Sequence, residues 1–233
     1  MYNRIAQNGV CLLFVLLVCC CAACQRLPDK MNASADDADL LALSEQGIKF
    51  EPEWVIIPGK RVGLVTAQTT RENLQQWFGT TTTLTDQRIP DRNGNTRLAT
   101  VYAIDNRNTL TVFWQDQNMN QVSEVRIAGE HARWATPEGV SIGLPIEEVQ
   151  KINGQDFSFS AFVPQSQVGG IVNEWNGGKL ANYKGWQLAL AYDGRDELAE
   201  VTLAKLPPNT PYVSNAEFIA SLNVTVREIV VYF

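Results

Sequence analysis

Two stretches 75 residues apart, TTRENLQQWFG (Thr69–Gly79) and LPIEEVQKING (Leu144–Gly154), constrain the fold of this chain more than any other feature. Both are of helix length. The first opens with a capping box, Thr69 to Glu72, whose side chains can satisfy the orphan amides of a helix start. The second sets Pro145 near its first helical position, where the missing amide is harmless, followed by Glu147 and Glu148 at the positive end of the dipole. Each ends in glycine, which readily takes the left-handed conformation that closes a helix. Leu74 and Trp77 correspond to Val149 and Ile152, an i, i+3 apolar pair on one face. The correspondence continues downstream: TVFWQD (Thr111–Asp116) matches LALAYD (Leu188–Asp193) at an offset of 77, and VSEVRIA (Val122–Ala128) matches LAEVTLA (Leu198–Ala204) at 76. Three matches in one order at near-constant spacing mark an internal duplication.

Each half therefore reads as a short helix followed by antiparallel strands. Thr100–Ile104, Leu110–Trp114, Val122–Ile127 and Trp186–Tyr192 are rich in strand formers. Turn clusters separate them: Asp91–Gly94, Asp105–Asn108, Asp116–Asn120 and Asp193–Asp196. A further capping box, Ser214 to Glu217, precedes the short FIASL run, and a last strand is expected from Val224 to Phe233. The fold class that follows is α+β, with two tandem helix-plus-sheet modules at residues 48–136 and 137–233. The second module includes a C-terminal helix and strand. Long alternating segments are too few for a closed membrane barrel.

This arrangement resembles the tandem modules of the β-lactamase inhibitor protein and the related single-module outer-membrane lipoproteins of the SmpA/OmlA type. The residues that carry the resemblance are Thr69–Gly79, Leu144–Gly154 and the two pairs of matched strands, over roughly residues 60 to 205. It implies architecture only. The chain also resembles bacterial lipoproteins that carry WNGGKL-like segments.

The amino terminus reads as an export signal. Arg4 supplies the basic end, Val10–Val18 is an uncharged apolar run, and Ala22 and Ala23 are a small-residue exit. From Val10 to Ala23 the run is 14 residues, short of the ~20 that span a bilayer as a helix. All 5 cysteines fall at or before residue 24. Cys21-Ala22-Ala23-Cys24 resembles the lipobox of bacterial lipoproteins, in which the signal is cut before a cysteine that receives a diacylglyceryl thioether; Cys21 stands where that family usually has leucine. The resemblance implies a signal peptide over 1–23, fatty-acyl attachment at Cys24, and, because Gln25 is not aspartate, sorting to the outer membrane of a bacterial envelope. Acylation also removes the liability of one unpaired thiol on an exported chain. Residues 24–47 read as a lipidated tether, since Asn32–Asp39 is too poor in apolar residues to offset chain entropy.

The chain carries 19 basic and 25 acidic side chains, net −6, and removing residues 1–23, whose one charge is Arg4, shifts this to −7. With no Lys/Arg cluster, a nucleic-acid partner is not expected. The single histidine, His131, cannot build a His-rich metal site, and no G-x-S-x-G stretch marks a nucleophile. Asp116, Asn118 and Asn120 alternate like calcium-loop ligands, but Gln121 and Ile127 replace the loop's glycine and bidentate glutamate, so a hairpin loop is expected. No metal and no cofactor is implied. The segment GGIVNEWNGGKLANYKGW (Gly169–Trp186) is the most unusual of the second half. A β-hairpin with an Asn-Gly turn accounts for it, and its Trp175, Tyr183 and Trp186 are the candidate partner-binding residues, because aromatics anchor interfaces. The resulting expectation is a non-enzymatic envelope lipoprotein that binds a protein or glycan. Two alternatives stand beside it. One is a carboxylate-dependent hydrolase of envelope polymers, marked by two acids facing across a deep cleft. The other is a protein inhibitor, marked by a concave aromatic surface.

Overall fold

The computed structural model describes residues 54–79, 83–91, 94–103, 108–129, 132–163, 169–192, 197–206 and 210–233. The signal, Cys24, the tether and His131 lie outside the described residues. Small strands β1 (Ile56–Ile57), β2 (Arg61–Val62) and β3 (Val65–Thr66) form one antiparallel sheet ahead of helix α1 (Arg71–Phe78). Strands β4 (Leu84–Pro90), β5 (Thr96–Ala103), β6 (Thr109–Trp114) and β7 (Val122–Ala128) follow as a meander. Helix α2 (Ile146–Asn153), β8 (Ser158–Phe159), β9 (Val172–Glu174), a 3₁₀ turn (Lys179–Asn182) and β10 (Trp186–Ala191) come next. Helix α3 (Glu197–Ala204), β11 (Tyr212–Val213), α4 (Glu217–Ala220) and β12 (Thr225–Tyr232) complete the α+β fold.

Six strands form one sheet in the order β10-β12-β7-β6-β5-β4. Strands from both halves of the chain feed it, and they meet where β12 pairs antiparallel with β7, Ile229 opposite Ile127 and Val231 opposite Val125. Strand β12 is thus an interior strand of the sheet. Its VREIVVY run, rich in β-branched residues, suits a position paired on both edges. Residues opposite one another share a face. Leu110, Ile127, Ile229 and Leu188 line one side with Val112, Val125 and Val231. They are essentially unexposed and join Leu74 of α1 and Ile146 and Val149 of α2 in one core cluster.

Several sequence expectations shift by a residue or change partner. The N-cap of α1 is Thr70 rather than Thr69: its hydroxyl takes the Asn73 amide, and the Asn73 side chain takes the Thr70 amide. Thr69 is buried and accepts from the Thr66 amide instead. Gly154 closes α2 in the left-handed region (φ 74°), whereas Gly79 ends α1 right-handed at φ −66°. Pro145 is the N-cap of α2. Leu74 and Val149 are buried as expected, while Trp77 is 36% exposed. Ser214 does not cap α4, whose N-cap is Ala216; its hydroxyl accepts from the Phe157 amide and donates to Gln150.

The main correction concerns Leu198–Ala204. Matched to strand β7, the segment is helical as part of α3. ELAEVTLA holds Ala, Leu and Glu, which favour helix, and the place beside β10 that the duplication reserves for it is taken by β12.

Candidate functional site

The segment from Trp175 to Trp186 owes its shape to one buried amide. Asn153, 1% exposed at the end of α2, donates from Nδ2 to Trp175 O and Gln155 O at 3.0 Å each and accepts the Leu180 amide at 3.0 Å. A Cβ on Gly178 would lie 2.3 Å from that amide, so only hydrogen fits there. The expected Asn-Gly turn is present: Asn176 and Gly177 have φ of 51° and 75°, and the Gly178 amide bonds Trp175 O at 3.0 Å. The expected hairpin is not. After the turn the chain winds into the 3₁₀ turn around the buried Leu180 and then doubles back into β10.

That path brings together all three aromatic residues singled out in the sequence. Trp175 and Trp186 stack at 5.4 Å with planes 11° apart, Tyr183 meets Trp186 edge-on at 5.9 Å, and Phe157 lies 5.1 Å behind Trp175. All three are half-buried. The three rings pack against the core, and Asn176, Lys179 and Lys184 of the same segment are exposed. The backbone beside Trp186 is closely packed: the Gly185 carbonyl accepts from the Tyr232 amide at 2.8 Å, and Gly185 abuts Gly59, so that a Cβ would lie 2.8 Å from Gly59 Cα.

One member of the site carries no signal in the sequence. Glu138, on the Thr136–Gly139 turn, accepts a short hydrogen bond from the Tyr183 hydroxyl through Oε1. Its Oε2 is buried with no hydrogen-bond partner, and so is Nε1 of Trp186. A buried polar atom left unpaired costs about 1–3 kcal/mol. Tyr183 touches both residues, so a lone acceptor and a lone donor flank one aromatic group.

A second cluster lies on the other face of the six-stranded sheet. Glu124, 4% exposed, holds Arg97 at 2.9 Å and Arg126 at 2.5 Å. Both guanidiniums cover the Phe113 ring, at 5.2 and 4.2 Å from its centroid, and Glu228 is 3.8 Å from Arg126. Its charges are matched within the chain, so its evident work is to seal Phe113 from water.

Two open depressions, of about 460 Å³ beside Gln150, Gly154 and Asp156 and about 420 Å³ beside Thr70, Glu72 and Asn118, each carry a single acid. In the loop read against a calcium template, Asp116 accepts the Asn118 amide at 2.8 Å, an Asx turn within the β6–β7 connection. Among the described residues no group of three or more His, Cys, Asp or Glu side chains is placed to hold a metal ion, and no helix is long and apolar enough to cross a membrane. No protein-family model, curated protein or solved structure matches the chain.

Proposed function

We propose that this chain is a bacterial envelope lipoprotein, held to the membrane through acyl chains on Cys24, whose folded domain works by binding a protein or glycan partner rather than by catalysis. The address rests on the lipobox Cys21–Cys24 and on the absence of any later cysteine in the sequence. Multiple acyl chains hold firmly, since each buried methylene adds ~0.8 kcal/mol.

The observation that carries the binding reading is the convergence of Trp175, Tyr183 and Trp186, each half-buried, in one contiguous aromatic group. Half-buried aromatic rings gathered in one group suit an interface anchor.

The test is photo-crosslinking in intact cells from position 184, next to the aromatic group, with the native anchor in place. The binding reading expects one specific envelope component to be captured, and capture to fall sharply in Trp186→Ala and Tyr183→Phe. Failure to capture any component, together with cleavage of an envelope polymer by the purified protein, contradicts it in favour of a hydrolase.

A further inference from the structure

The six-stranded sheet has unequal ends. At β10, Ile171 bridges Ala189, and the Leu190 amide bonds Gly170 O at 2.8 Å. At β4, none of the described strands pairs with the outer edge, although Leu84–Pro90 runs seven residues without a bulge. The hairpin turn fixes which backbone groups face outward. The Asp91 amide points inward to Asn95 O at 2.8 Å. By alternation the groups of Ile89, Gln87 and Thr85 also face β5, and those of Leu84, Asp86, Arg88 and Pro90 face out. Pro90, lacking an N–H, thus sits where a strand tolerates proline.

We infer that β4 is a self-association edge, on which a second copy of this chain pairs its own β4 antiparallel about a two-fold axis at Gln87. Outward groups can meet outward groups only in alternate registers, and charge selects among them. One register sets Asp86 against Asp86 of the other copy; another sets Arg88 against Arg88. The register centred on Gln87 overlaps Leu84–Pro90 along its whole length and sets Asp86 opposite Arg88 twice. Each such pair exchanges two backbone hydrogen bonds, and both side chains lie on the face where Asp86 already binds Arg71 at 2.8 Å and Thr100 at 2.6 Å. The ends contribute less, because Pro90 has no N–H and its carbonyl lies 3.5 Å from Arg126 of its own chain. Such an isologous contact closes as a dimer, with the sheet continuous across it.

Gln87 at the axis is a non-hydrogen-bonded pair, with Cα atoms about 4.5 Å apart, within the span a disulfide bridges. Thr85 faces position 89 of the other copy, so two Thr85 residues are about 13 Å apart. The experiment is oxidative crosslinking of the full chain in its native membranes with Gln87→Cys and Thr85→Cys. Gln87→Cys should form a disulfide dimer beyond that of wild type, and Thr85→Cys should not. Adding Arg88→Asp to Gln87→Cys, which opposes like charges twice, should cut the dimer about tenfold, while Arg88→Lys retains it. The inference is overturned if Gln87→Cys yields no more dimer than Thr85→Cys, or if its disulfide joins a different protein. Arg88→Asp leaving the yield unchanged overturns it equally.

Discussion

Replacing Asn153 tests how the candidate site is held. Asn153→Ala removes three hydrogen bonds, each of 3.0 Å. Trp175 O keeps its bond from Gly178, and Gln155 is exposed, so those two losses cost about 1 kcal/mol or less each. The Leu180 amide is buried, and leaving it unpaired adds about 1–3 kcal/mol. The sum is about 3 kcal/mol, a loss of more than about 100-fold in the folding equilibrium, where 1.4 kcal/mol is tenfold. Asn153→Asp keeps the acceptor for Leu180 but turns a carboxylate oxygen toward two carbonyls, and should cost at least as much. Urea unfolding followed by tryptophan fluorescence gives the stability change, and hydrogen exchange at the Leu180 amide gives the local one. If Asn153→Ala unfolds within 0.5 kcal/mol of the parent and Leu180 stays protected, the amide is not what positions the aromatic group.

Four further outcomes follow from particular contacts. Gly185→Ala should destabilise by about 2 kcal/mol or more, because φ is 66° and the new methyl meets both Gly59 and Tyr232 O; thermal unfolding measures it. Glu124→Gln should cost about 2 kcal/mol by urea unfolding, since Arg97 and Arg126 lose their buried counter-charge, discounted for their partial exposure. Burial among Phe159, Phe162 and Phe218 raises the Tyr212 hydroxyl above its ordinary value of 10.0. Its contribution is complete below that pH and is lost as pH rises through the folded-state value, so Tyr212→Phe should flatten the alkaline loss of stability in a pH titration of unfolding. Cys24→Ala should abolish signal cleavage and release the chain from its membrane anchor, read by fractionation and gel mobility.

What the sequence disclosed and concealed divides along physical lines. Local signals were legible: the α1 and α2 segments, strands β6 and β10, and the Asn176-Gly177 turn with both φ values positive. Capping was ambiguous where two hydroxyls stand side by side, and Thr70 rather than Thr69 has the geometry to reach Asn73. The strand expected at Leu198–Ala204 failed because likeness to Val122–Ala128 outweighed helix propensity, and because a stronger strand former at the end of the chain competes for the same neighbour. Trp175, Tyr183 and Trp186 could be singled out by composition, but not their stacking. A simple hairpin would set Trp175 against Gly178, and only the 3₁₀ turn clamped by Asn153 brings Trp186 back to it. Glu138 was invisible, since its contact with Tyr183 spans 45 residues and no motif announces it.

Mass spectrometry of the amino-terminal peptide from the native, membrane-extracted protein tests the proposed identity most directly. A chain that starts at Cys24 and carries the added mass of a diacylglyceryl thioether is the predicted result. A chain that starts at any other residue, or a Cys24 with a free thiol, contradicts it.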